Sequence, residues 1–554
     1  MLPKKPPDVW ATVLPVSLGL LPFLPLGLAI FQVFKIFTSP LAVWGISCFF
    51  VTLFLKKYLS GPSNLHINQG DSPRLHPYWV IGFVFLTVLA GLTLARSQLV
   101  SHHPDDPRRT YLLTGDEPAY LLLAHSLVFD GDLNVNNNHE DIYFFAEKSI
   151  RELRGFRFDY HNEKAKGRLK GREKEWENKQ YFVNRPGLPI LIAPAYALGF
   201  KTDLSLRFAV LTWLNVLGAL LSVVLFLIAY SLSEKIFLSS ALALFFSLSP
   251  PLLYYSNQIY PELPAALMLT GGLLGLMRAQ NKWMVFFTGL VLAFLPWFHE
   301  RYLGTWIILL IAGLFRPSFR EKAWYWMVPV GISLLLLGRY YWFFYGLPFP
   351  LNSHKPMDFA AMPMGLLALF TDRDKGLLFI NPLLVMGFWG LIKLWKKDRW
   401  LGATVSALLL VYLLPLSAFP DWHGGKCPPL RYLSSIIPVL IVPLVVLLKE
   451  APGSFTRFAV LTFGAWGIWM GVKMMGNPKI LFWEYGPLFE AKASQSAHPF
   501  FPGSYHPSNG NGLKSLLWLG LIFLFPSFDR LLENKASLGS ALVWGPILLA
   551  WPWG

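Results

Sequence analysis

The chain has 554 residues, of which 54% are hydrophobic, 16% aromatic and only 14% charged, and its mean hydropathy is +0.44. A water-soluble domain cannot hide so large an apolar fraction, so the composition excludes an ordinary soluble enzyme and predicts an all-α polytopic membrane protein. The formal net charge of +16 does not indicate a nucleic-acid partner, because Lys and Arg fall in short clusters between apolar runs rather than on one face. Of the two cysteines, Cys48 lies in an apolar run and Cys427 in a loop, which gives neither a disulfide framework nor a thiol metal site.

Apolar runs of about 15 to 25 residues are long enough to cross a hydrocarbon core of roughly 30 Å, or nearly so when tilted. About fifteen such runs can be read along the chain, near 10–33, 39–55, 77–97, 206–232, 236–254, 260–278, 283–298, 302–315, 325–345, 376–394, 400–417, 433–448, 458–475, 513–527 and 538–553. The first follows Lys4 and Lys5 and has no small-residue cleavage site, so it reads as an uncleaved anchor. Three regions result: 1–76, a pair of spans with a cytoplasmic loop; 77–475, a membrane core with a long loop at 98–205; and 476–554, an outer loop and C-terminal spans.

Short basic loops stay in the cytoplasm. With Lys4 and Lys5 inside, every second connection carries the basic residues: Lys56 and Lys57, Lys235, Arg278 and Lys282, Arg316 to Lys322, Lys396 to Arg399, Lys449 and Arg457, and Arg530 and Lys535. That phase places the polar segment 98–186 on the extracytoplasmic side. Within it, the stretch from Lys164 to Lys179 has seven Lys or Arg against three Glu, a solvated hairpin or a basic flap over an anionic substrate. The sequence "DEPAYLLLAHSLVFDG" spaces its apolar residues as an amphipathic interfacial helix that starts at an acidic pair and stops at Asp130-Gly131. The following "NRPGLPILIAPAYALG" carries three prolines, which predict an interfacial or re-entrant segment rather than a straight helix.

On the outer side of the crossings the loops gather carboxylates, histidines and arginines, whereas the inner loops carry mostly lone basic residues. The outer groups include Asp116 and Glu117; Arg185; Glu262; His299, Glu300, Arg301 and Tyr302; Asp421 and His423; and Lys426, Arg431 and Tyr432. Charge beside hydrocarbon is costly unless it is paired or meets a ligand, so these clusters are the candidate site. Arg339 is the clear ionisable exception within a span, positioned to snorkel or to bind an anion.

An early span followed by an outer loop with "DEPAY" at a helix start resembles the membrane glycosyltransferases of the GT-C class, in the style of protein O-mannosyltransferases and the lipid A aminoarabinose transferase. The segments "RPGLPILIAPAYALG", "YPELPAALML" and "PPLRYLSSIIPVL" resemble runs in bacterial members. The likeness covers roughly residues 77 to 475; the extra spans before it depart from the pattern. The resemblance implies a GT-C-like helical bundle in a bacterial inner membrane. It implies a sugar donor on a polyprenyl phosphate and an acceptor that is a lipid, glycan or protein. Inverting transfer needs a carboxylate to take the acceptor proton, for which Asp116 is the choice against a role as helix cap. Glu117 then orients the acceptor, joins a divalent metal or caps the helix. Arg185, Arg301 and Arg431, with Lys426 and Arg339 behind them, suit the donor phosphate. His299, Glu300, Tyr302, Glu262, Asp421, His423 and Tyr432 complete the candidate site, some of them as possible ligands of a divalent metal. Two rivals fit the same composition: a ligase or polymerase of lipid-linked saccharides, and a lipid or saccharide flippase.

Overall fold

The computed structural model describes residues 77–99, 102–103, 106–110, 116–135, 138, 185–202, 206–345, 357–372, 374–425, 427–449 and 453–476. The runs predicted at 10–33, 39–55, 513–527 and 538–553, and the basic stretch 164–179, lie outside them. The described chain is predominantly helical. After α1 (Pro77–Leu99) comes a short antiparallel hairpin, β1 (His102–His103) and β2 (Asp106–Thr110), with His102 opposite Thr110. There follow α2 (Glu117–Phe129), α3 (Gly187–Lys201), the long α4 (Leu206–Ser233) and α5 (Ile236–Leu248).

Ser249 and the cis-linked Pro250-Pro251 end α5, since proline cannot donate to the helical ladder. The chain resumes as α6 (Leu252–Tyr255), α7 (Glu262–Arg278) and α8 (Lys282–Phe294), which tightens into 3-10 turns at Leu295–Trp297 and Glu300–Tyr302. Next come α9 (Leu303–Leu314), α10 (Pro317–Arg320), α11 (Ala323–Tyr345), α12 (Met362–Thr371) and α13 (Leu377–Ile380). Then α14 (Pro382–Lys397) and α15 (Arg399–Ser417) lead to 3-10 turns at Tyr432–Ser435 and Ile437–Leu440, followed by α16 (Ile441–Lys449) and α17 (Ser454–Gly476).

Among the described residues four helices are long and apolar enough to cross a membrane, at Trp79–Arg96, Leu206–Ser233, Arg399–Ser417 and Thr456–Met475. Most of the other described runs are shorter or interrupted, whereas 325–345 lies in the continuous 23-residue α11. The run at 236–254 breaks at the prolines, 376–394 breaks at Asn381-Pro382, and 433–448 opens as two 3-10 turns. Large apolar side chains nevertheless face outward on these helices, Trp79 at 77%, Trp324 at 80% and Leu335 at 76% exposure, as a lipid-facing surface requires.

One local expectation needs correction, and one segment is more regular than its prolines suggest. The helix α2 does not lie on a surface along one apolar face: Ala119 to Ser126 are all buried, because even its polar residues find partners inside. His125 Nδ1 meets the Tyr196 hydroxyl of α3 at 3.0 Å, and the Ser126 hydroxyl donates to Asp132 at 2.8 Å. The three-proline segment forms one continuous helix, α3. Pro186 and Pro189 stand at its start, where no intrahelical N–H is needed, and Pro194 stands on the exposed face opposite buried Ile192, Ala195 and Tyr196.

The two ends of the bundle differ in chemistry. At one end basic side chains cap carbonyls and rings: Lys235 donates to the Lys449 carbonyl (2.7 Å), Lys449 to the Leu232 carbonyl (2.9 Å), and Arg316 covers the Trp400 ring at 4.1 Å. At the opposite end, carboxylates and guanidiniums meet. Between the ends, helices approach closely at glycines: a Cβ at Gly390 of α14 would lie 2.0 Å from the Pro443 carbonyl oxygen of α16. Gly390→Ala is therefore expected to separate two buried helices at a cost of about 1 to 3 kcal/mol. A thermal unfolding midpoint in detergent equal to that of the wild type would contradict this packing.

Candidate functional site

Asp116 and Glu117 are neighbours in sequence but point to different partners. Asp116 is the N-cap residue of α2, and its carbonyl accepts the Tyr120 N–H at 3.3 Å. Its carboxylate makes no capping bond; Oδ2 instead accepts Arg431 Nη2 at 2.5 Å. Glu117 is fully buried, accepting Arg207 Nη2 at 3.0 Å and the Ile259 N–H at 3.3 Å. It thus ties α2 to the first turn of α4 and to the turn before α7. The Glu117 side chain has no exposed surface.

Arg431 is shared. Its Nε donates to Glu262 Oε1 at 3.1 Å, and the same oxygen receives Arg301 Nη1 at 3.5 Å. Glu262, the first residue of α7, has a side chain with 0% exposure. Two positive groups therefore converge on one buried carboxylate, and Asp116 supplies the second negative charge. Aromatic rings line the cluster. The Arg431 guanidinium carbon lies 4.1 Å from the Tyr260 ring centre and 5.4 Å from that of Tyr432, and Arg301 lies 4.4 Å from Tyr432. Tyr302 is buried, stacked on Tyr412 at 6.1 Å and bonded to the Ser435 hydroxyl at 2.8 Å.

A second ion pair adjoins this one. Arg185 Nε donates to Glu300 Oε2 at 2.9 Å, with its guanidinium 5.0 Å from the Tyr341 ring centre. Gly187 makes this approach possible, since a Cβ there would lie 2.6 Å from the Trp297 carbonyl. His299 Nδ1 lies 3.2 Å from the Arg301 N and 3.3 Å from Glu300 Oε2, so the neutral ring caps the 3-10 turn and the protonated ring pairs with Glu300. Burial works to raise the Glu300 carboxyl, yet positive charge on His299 and Arg185 beside it holds it well below the usual carboxylate range.

The loop that presents Arg431 is built for position. Gly424 and Gly425 adopt φ of +84° and +73°, and a Cβ on Gly424 would sit 2.9 Å from Arg431 Cβ. Buried side chains tie the loop down: Lys375 Nζ donates to the Cys427 carbonyl (2.9 Å), Tyr255 to the Pro428 carbonyl (2.5 Å), and Cys427 Sγ to the Gly424 carbonyl (3.0 Å). Burial pushes the Cys427 thiol up, so it serves as a donor and not as a nucleophile. His423 also serves the turn, its Nδ1 accepting the Gly425 N–H at 3.0 Å, and the Asp421 carbonyl accepts the Gly424 N–H at 2.9 Å.

The structure thus brings together Asp116, Glu262, Arg301, Arg431 and Tyr432, with Arg185, His299 and Glu300 alongside. Arg339 is exposed on α11 and shares no hydrogen bond or ion pair with them, and Lys426 lies outside the described residues. Arg207 was missed by sequence reasoning, being a lone charge in the first turn of a 28-residue apolar helix. Buried atoms also lack hydrogen-bond partners among the described residues: Glu262 Oε2, Glu300 Oε1, Arg301 Nε and both amide atoms of Gln258. No group of three or more His, Cys, Asp or Glu gathers among the described residues, and the acidic side chains are matched to guanidiniums instead. No protein-family model, curated protein or solved structure matches the chain.

The buried Glu117–Arg207 pair yields a double-mutant test. Arg207→Met alone should destabilise by about 3 to 5 kcal/mol by stranding Glu117, and Glu117→Leu added to it should restore most of the loss. Thermal unfolding of the single and double variants in detergent measures this; additive losses would show that the pair is not the link between α2 and α4.

Proposed function

We propose that the chain is a membrane glycosyltransferase of the GT-C kind. It acts on the extracytoplasmic face of a bacterial inner membrane and moves a sugar from a polyprenyl-phosphate donor to a lipid, glycan or protein acceptor. The observation that carries this reading is the Asp116–Arg431 pair. A carboxylate with a side chain 27% exposed rests on a guanidinium with a side chain only 11% exposed, backed by a wholly buried Glu262. A carboxylate and a guanidinium stand side by side at the rim of an apolar bundle, which supports a base next to an anion-binding group.

The chemistry follows from those two groups. The acceptor hydroxyl loses its proton to Asp116 as its oxygen bonds to the anomeric carbon from the face opposite the leaving group. The bond from that carbon to the phosphate oxygen breaks, its electron pair leaves with the phosphate, and Arg431 neutralises the charge. Arg301 reinforces the positive field, and the half-buried Tyr432 ring walls the same space. The unpartnered atoms of Glu262, Glu300, Arg301 and Gln258 suit a ligand rich in hydroxyls, since a buried polar atom without a partner costs about 1 to 3 kcal/mol.

The test uses purified protein, polyprenyl-phosphate sugars and mass-spectrometric detection of released polyprenyl phosphate. Asp116→Asn should lower turnover by about a hundredfold or more, and Arg431→Ala should weaken the donor by about tenfold or more. Full turnover in Asp116→Asn would remove Asp116 as the base; an Arg431-dependent reaction that does not need Asp116 would favour a ligase or polymerase.

A further inference from the structure

Arg431 has two carboxylate partners of unequal character. Glu262 has a side chain with 0% exposure and also holds Arg301, so it is fixed from behind. Asp116 has a side chain 27% exposed, stands at a helix start and grips the Nη2 edge of the guanidinium at 2.5 Å. The Tyr260 ring covers one face of Arg431 at 4.1 Å. Glu262 thus holds the Nε side of the guanidinium and Tyr260 one of its faces, while Nη2 meets the more exposed of the two carboxylates.

We propose that the phosphate of an isoprenyl phosphodiester binds Arg431 by displacing the Asp116 carboxylate, so that ligand binding itself frees this carboxylate. Glu262 and Tyr260 stay in place during the exchange and keep the guanidinium aimed. Two anions compete for one donor edge, and the bidentate geometry of guanidinium with phosphate favours the incoming group. Once released, Asp116 loses its nearest positive charge, which raises its affinity for a proton. The inference rests on the glycosyltransferase reading for the isoprenyl carrier of the phosphate and for the use made of that proton affinity: a base paired with Arg431 is weak, and the donor makes it strong when an acceptor is to be deprotonated. Sugar-phosphate bonds would then be activated only when a donor is seated, with the empty site held neutral.

The exchange is tested by equilibrium binding of a short isoprenyl methyl phosphate, a diester with a single negative charge, to the full chain in detergent without acceptor. Removing the competing charge in Asp116→Asn should tighten binding by about fivefold or more, whereas Asp116→Glu, which retains the competitor, should stay within about twofold of wild type. Arg431→Ala should weaken binding by about tenfold or more. Equal or weaker binding in Asp116→Asn overturns the exchange, as does unchanged binding in Arg431→Ala. The Asp116→Glu variant separates loss of charge from a disturbed helix start, because a packing defect would move both variants in the same direction. Transfer is scored separately. Tightening in Asp116→Asn while the wild-type chain moves no sugar would uphold the exchange and end the glycosyltransferase reading; sugar transfer by the wild-type chain with no tightening in Asp116→Asn would do the reverse.

Discussion

One buried carboxylate organises this end of the molecule. Glu262 sits in the first turn of α7 with no exposed side-chain surface and receives both Arg301 and Arg431. An isolated ion in such a place would be prohibitively costly, and two guanidiniums so close would repel one another without it. The positive end of the α7 dipole adds to its stabilisation. The loop bearing Arg431 and the 3-10 turn bearing Arg301 are joined through this group, and α2 joins them through Asp116. The fold can hold a charged site against an apolar bundle because its charges are matched before any ligand arrives.

The neighbouring acids of "DEPAY" divide two tasks that neither could combine. Glu117 turns inward to Arg207 and the Ile259 amide, and this anchors a helix whose next turns are wholly buried. Asp116, one position earlier, is directed to the partly exposed edge of Arg431. The anchoring bond is remote from solvent and rigid, so the outward carboxylate has a fixed base from which to move. Under the proposed exchange, an acid that had to anchor α2 could not also release Arg431.

Much of this arrangement was legible in the sequence, and the parts that were not share a cause. The charged tips at Asp116, Arg185, Glu262, His299 to Arg301 and Arg431 could be assigned to one end because basic connections alternate with acidic ones, and the structure brings those tips together. Pairing was not legible. Arg207 looks like an interfacial residue at a helix start until Glu117 is seen against it. For α2, apolar spacing suggested a helix with one wet face, but His125 and Ser126 are satisfied by Tyr196 and Asp132, so its polar residues did not mark solvent. The type of His423 suggested a ligand and did not reveal that its Nδ1 accepts the Gly425 N–H in the turn around Gly424 and Gly425.

Broken helices inside an apolar bundle expose backbone groups that no water can reach, and each must find a partner. Here polar side chains supply them. Asn381 Nδ2 donates to the Pro250 carbonyl at 2.7 Å and Asn215 Nδ2 to the Ser256 carbonyl at 2.7 Å. Tyr412 donates to the Tyr432 carbonyl at 2.7 Å, and Tyr255 and Lys375 secure the loop before Arg431. The repair is not complete anywhere in the bundle: Asn215 Oδ1, Asn381 Oδ1, Ser240 Oγ and Trp306 Nε1 are also buried without a hydrogen-bond partner among the described residues. Gln258, fully buried in the same break, has neither amide atom bonded, and unpartnered atoms of Glu262, Glu300 and Arg301 belong to the charged cluster itself. What sets the charged end apart is therefore the gathering of guanidiniums and carboxylates there, and the unspent atoms among them add hydrogen-bonding capacity to a cluster that the ion pairs already define.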